Sequence, residues 1–147
     1  MARFGPASAA EDLEQRTLSQ IPSLYGRLVY LASLRNPNTG AYRHHGLELI
    51  YGRQESDVAL REAHERLFQC WLEMSTEQRF ADLTRYLESI GEQRSLVMET
   101  WLRTNPFRAL MPASLAGPER IFFLGEMETL LSVLSAEAGG RGATRSR

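Results

Sequence analysis

The sequence predicts an all-α fold: a single compact domain of five to six helices, orthogonally packed or bundle-like, with a polar loop between helices 2 and 3. Three observations predict it. Apolar residues recur at three- and four-residue spacing over most of the chain, the signature of one buried helical face. Cap and stop signals divide that pattern into segments of helical length. The one stretch that alternates like a strand, Leu47, Leu49 and Tyr51, has no second strand to pair with. A chain of 147 residues is the size of one domain. We expect that domain over residues 1–138, with 139–147 a flexible basic tail.

Taken in order, Ser8 and Glu11 have capping-box spacing and should open a first helix running to about Ser19. Pro22 then either sits in the first turn of the next helix or kinks a continuous one. The second helix carries Leu24, Leu28 and Leu31 and, one step round, Tyr25, Val29 and Ala32. It must stop before Asn36-Pro37, because a proline disfavours helical dihedrals in the residue before it. Residues 36–40, Asn-Pro-Asn-Thr-Gly, are turn chemistry. Residues 41–53 read as a loop with one short helical turn.

A long helix is expected from Ser56 or Asp57 as N-cap to about Met74, with Leu60, His64, Leu67, Trp71 and Met74 on one stripe. Ser75 and Gln78 repeat the capping-box spacing, Phe80, Leu83, Leu87 and Ile90 form the next stripe, and Gly91 ends it. Another helix is expected over 93–103, a turn over 107–111, and a last helix over 118–138. That last helix, with Ile121, Phe122, Phe123, Met127, Leu130 and Leu134, is apolar nearly all round. It belongs either at the centre of the domain or at a face shared with another subunit.

Composition excludes several classes of function. Seventeen basic and 18 acidic side chains leave a net charge of −1, which supplies no field to gather nucleic acid or anionic lipid. Every basic residue is arginine. Cys70 stands alone, so neither an intrachain disulfide nor a cysteine-based zinc site can form; on its helix it reads as a small buried hydrophobe. The first residues lack the apolar core of a signal peptide, and no apolar run approaches the length of a membrane span. The expected compartment is the cytoplasm.

Candidate chemistry is concentrated in residues 24–53, which hold four of the five tyrosines and two of the three histidines. His44 and His45 are adjacent, and neighbouring side chains diverge, so one metal is a poor fit and no metal or cofactor is expected. One imidazole should be exposed and the other bonded to backbone. His64 should be a core histidine with a satisfied nitrogen. Arg35, Tyr42, Arg43, His44, His45 and Arg53 could converge on a small anion through charge-assisted bonds, with Glu48, Glu55 and Asp57 near enough to neutralise them. The second candidate surface is apolar: Phe122, Phe123, Met127, Leu130 and Leu134.

The reading these residues favour is a small non-catalytic interaction or regulatory module, a homo-oligomer or the binder of a protein partner. The alternative is a helical domain that binds a small anion or metal, or acts as an enzyme, through residues 42–45. A helix–turn–helix over residues 57–90 ranks third, because its second helix carries Glu77, Asp82 and Glu88 against Arg79 and Arg85.

Overall fold

A computed structural model describes residues 6–94, 96–97, 110–111, 124–130, 132–133 and 136. The described chain is all-α, as expected, and its contacts divide it into two compact units, Met1–Met74 and Ser75–Arg147. Among the described residues no helix is long and apolar enough to cross a membrane.

The first unit holds α1 (Pro6–Arg16), a 3-10 turn (Leu18–Gln20), α2 (Leu24–Ser33), α3 (His45–Tyr51) and α4 (Arg53–Glu73). α4 is its hub, and α1, α2 and α3 each pack on it. The reason is the breadth of its apolar face: Ala59, Leu60, Ala63, Leu67, Phe68 and Trp71 are all buried. They meet Ala9 and Leu13 of α1, Tyr25, Leu28 and Leu31 of α2, and Leu47 of α3 in one core. Full burial of a side chain of this class contributes about 1.5–3 kcal/mol. Tyr25 and Trp71 set their rings 6.0 Å apart at 51°.

Local chemistry sets the ends of these helices, and four of them differ from expectation. α1 begins at Pro6, where a missing N–H costs nothing, so Ser8 lies inside the helix and not at its cap. α1 also ends at Arg16, and the expected run to Ser19 tightens into the 3-10 turn. Pro22 neither opens nor kinks α2. It precedes the true cap, Ser23, whose hydroxyl accepts from the Gly26 amide at 2.9 Å.

α4 starts at Arg53, ahead of Ser56 and Asp57, because Gly52 (φ 90°, ψ 162°) ends α3 and begins α4 by itself. Its amide donates to the Glu48 carbonyl, and its carbonyl accepts from the Ser56 amide. Only a residue free of a Cβ takes that conformation without strain.

Two further corrections follow. Residues 45–51 form a seven-residue helix rather than a loop with a single turn, held by Leu47, which is buried, and by an N-cap at His44. Cys70 is exposed. It shares an angular position with Ala59 and Ala63, which are buried.

In the second unit, α5 (Thr76–Ile90) opens on the expected capping box. The Ser75 hydroxyl accepts from the Gln78 amide at 3.1 Å, and the Gln78 carboxamide oxygen accepts from the Ser75 amide at 2.8 Å. Leu83 and Leu87 are buried, and Gly91, at φ 56°, closes the helix and leads into a 3-10 turn (Gly91–Gln93). Residues 124–130 are helical, with Met127 and Leu130 buried. Leu110 and Met111 are buried as well. Most of the expected helix over 93–103, residues 107–109 of the expected turn, the last helix apart from 124–130, 132–133 and 136, and the 139–147 tail lie outside the described residues.

Candidate functional site

The polar segment after α2 is built around Tyr42. Asn36 starts the turn: its side-chain oxygen accepts from the amides of Asn38 at 2.8 Å and Thr39 at 3.2 Å, and Gly40 takes φ 77°. The chain then closes on itself, Asn36 N donating to Ala41 O and Arg43 N to Leu34 O, with an isolated antiparallel bridge between Arg35 and Tyr42. This closure delivers Tyr42 into the core, where it is 2% exposed.

Three contacts hold it there. Its hydroxyl and His64 Nδ1 share a 2.6 Å hydrogen bond, the rings meeting edge-on at 83°. Its amide donates to Asp57 Oδ1 at 2.7 Å. The guanidinium carbons of Arg35 and Arg61 stand 6.0 and 5.4 Å from its ring centre, within cation–π range. Burial pushes the Tyr42 phenol above its ordinary pKa, against the pull of the two arginines. His64 is fully buried and is the satisfied core histidine expected of that stripe.

The remaining polar residues of the segment are also engaged. His44 Nδ1 accepts from the Leu47 amide at 3.1 Å and so caps α3, while His45 is exposed on the first turn of that helix. This is the division of labour expected of the pair. Arg43 forks onto Glu48 through Nε at 2.6 Å and Nη2 at 2.9 Å, and that fork holds the Glu48 carboxyl below the usual range. Asp57, which Arg61 meets at 2.8 Å, is pushed up by burial. The Tyr42 amide and Arg61 outweigh that and leave it below an ordinary aspartate. Tyr51 donates to Asp12 Oδ2 at 2.8 Å, tying α3 to α1.

The six predicted site residues therefore separate. Tyr42, Arg43 and Arg53 line one cleft of about 320 Å³, together with Ala41, Gln54 and Asp57. His44 lines another, of about 160 Å³, between α1 and α3. Arg35 lies by the Tyr42 ring and His45 faces outward. Among the described residues no group of three or more His, Cys, Asp or Glu could hold a metal ion.

Of the apolar candidates, Phe122, Phe123 and Leu134 lie outside the described residues. Met127 and Leu130 are buried. Together with Phe80, Val133, Thr76, Glu77, Arg79, Glu126 and Thr129 they line a groove of about 470 Å³. Arg79, buried, anchors one side by an ion pair to Glu126 at 2.8 Å, and Val133 is 48% exposed. The other arginine of α5 is committed too, Arg85 meeting the buried carboxylate of Asp82 at 3.2 Å.

Two features escaped sequence reasoning. Asp57 was read as a cap and as a carboxylate near the arginine cluster, but its pairing with Arg61, signalled by their spacing of four, was not. The exposure of Leu49 (74%) and Ile50 (47%) on α3 carried no signal beyond their adjacency, which on a helix places one of the two away from the buried Leu47 face.

No family model, curated protein or solved structure matches this chain.

Proposed function

We propose that this protein is a non-catalytic interaction module of the cytoplasm that works by burying apolar side chains against a protein partner, with self-association as the default. The observation that carries this reading is the groove lined by α5 and by residues 126–130 and Val133. Phe80 and Val133 supply apolar walls over the buried Met127 and Leu130, and Arg79 and Glu126 form an ion pair on one side. The groove has a volume of about 470 Å³. Aromatic and aliphatic anchors in such a pocket supply most of the affinity of an interface, and a polar rim supplies specificity.

Residues 34–57 support the same reading from the other direction. Tyr42, His44, His64, Arg43 and Asp57 are each engaged in holding the segment together. The test is native mass spectrometry of the protein as purified. The proposal expects a dimer or larger species, and Val133→Glu should shift it to monomer while the circular dichroism spectrum stays unchanged. A wild-type protein that is monomeric and captures no protein ligand overturns it.

One observation favours a small anion instead: the cleft in which Tyr42, Arg43 and Arg53 come together. Isothermal titration with inorganic phosphate or a dicarboxylate decides it, since Arg53→Ala should abolish the heat if that cleft is the site.

A further inference from the structure

Helices are ordinarily capped by Ser, Thr, Asp or Asn, whose side-chain oxygens accept from the first amides. Ser23 and Ser75 cap α2 and α5 in that way. α3 is capped by an imidazole instead, His44 Nδ1 taking the Leu47 amide at 3.1 Å. A backbone amide only donates, so Nδ1 holds a lone pair there and the ring proton sits on Nε2. The cap and a proton on Nδ1 therefore compete for one lone pair.

The ring is seated against the backbone of Gly46, where an added Cβ would come within 3.2 Å of its Cε1 carbon. It lines the cleft of about 160 Å³ between α1 and α3. The charged groups of that cleft are Asp12 and Arg16, both on α1. They are joined to each other at 2.8 Å, and Tyr51 also donates to Asp12. α4, which packs on α3 as well, gives no residue to the cleft among those described. Beside His44 in the chain, Arg43 is forked onto Glu48 and His45 faces outward. Asp12 and Glu48 are thus both engaged with arginines, and a positive imidazole would stand at the positive end of α3.

We propose that His44 is a proton-operated latch on α3: the neutral imidazole caps the helix, and proton uptake at Nδ1 removes the cap and lets the helix open. Imidazoles exchange their proton within roughly pH 5–8, which none of the usual cap residues does. The sign follows from the lone pair. The cap is present at the higher pH and is lost as pH falls. α3 has seven residues, and helices shorter than about 12–15 residues do not hold by themselves in water, so a cap matters here. Opening releases Leu47, 4% exposed in the closed form, to join the exposed Leu49 and Ile50, and it breaks the Tyr51–Asp12 tie to α1.

Amide hydrogen exchange of the full chain, followed by NMR and corrected for the intrinsic effect of pH, tests this. Glu48 and Gly52 report on α3, since their amides donate to the His44 and Glu48 carbonyls. Arg79, whose amide donates to the Ser75 carbonyl at the start of the serine-capped α5, is the reference within the same molecule. Between about pH 7.5 and about pH 5, protection at Glu48 and Gly52 should fall about fivefold relative to Arg79, the loss expected of a missing cap. His44→Asn, which caps without titrating, should abolish the fall, and His45→Ala should keep it. The 15N spectrum of the His44 ring should show a bare Nδ1 at the upper pH. A wild type with no relative fall, a His44→Asn variant that retains it, a His45→Ala variant that loses it, or a proton on Nδ1 at the upper pH overturns the inference.

Discussion

At the scale of single residues, the polar segment is organised by two side chains, Tyr42 and Asp57, whose bonds join it to α4. Tyr42→Phe keeps the ring and removes the hydroxyl, leaving His64 Nδ1 without its Tyr42 partner in a buried setting. We expect a loss of about 1–3 kcal/mol, read from urea unfolding. Asp57 predicts a pH dependence. Its carboxyl is held below an ordinary aspartate in the fold, so its contribution is present above about pH 4 and is lost as pH falls through the lower folded value. Asp57→Asn, which can still accept from the Tyr42 amide, should lower stability at neutral pH and flatten its decline in acid, measured by thermal unfolding between pH 2 and pH 7. Cys70 makes the third case. Its exposure predicts stoichiometric reaction with a thiol reagent in the native state, on the timescale of the unfolded protein. Sequence placed it around the helix but misjudged its exposure, because periodicity reports the angle of a residue and not its cover.

At the scale of elements, legibility followed the locality of the signal. The capping box at Ser75, the turn over residues 36–40 and the stripe from Leu60 to Trp71 are all written within a few neighbouring residues, and all are present. Ser75→Ala should therefore cost about 1 kcal/mol, by the same unfolding measurement, through loss of the Gln78 amide's acceptor. The helix ends that sequence misplaced depend on something else. Ser56 and Asp57 look like caps in isolation, yet Gly52 pre-empts them with a backbone conformation that composition alone does not announce. Ser8 was displaced in the same way by Pro6. α3 was the hardest element to foresee, since its seven residues give one face too short for a period to register. Which of the candidate residues share a cleft was not legible, because it depends on the closure of the chain at Tyr42, a contact with partners 15 and 22 residues away.

At the scale of the whole molecule, the all-α character was legible throughout, because the helical period persists wherever the chain is apolar. The two compact units were not, since no composition shift or linker marks the junction at Met74 and Ser75. Charge balance has its counterpart in the structure: Arg16, Arg43, Arg61, Arg79 and Arg85 are each joined to a carboxylate. The position of α4 as hub of the first unit bears on how the chain is made. α1, α2 and α3 have their apolar faces on a helix that follows all of them in sequence. During synthesis they leave the ribosome before the helix on which all three pack, and at about 5–20 residues per second the 21 residues of α4 take roughly one to four seconds to complete. Over that interval Leu13, Leu28 and Leu31 are presented to the cell uncovered, and nascent-chain chaperones have a defined window, closed by the arrival of Trp71, in which to hold them.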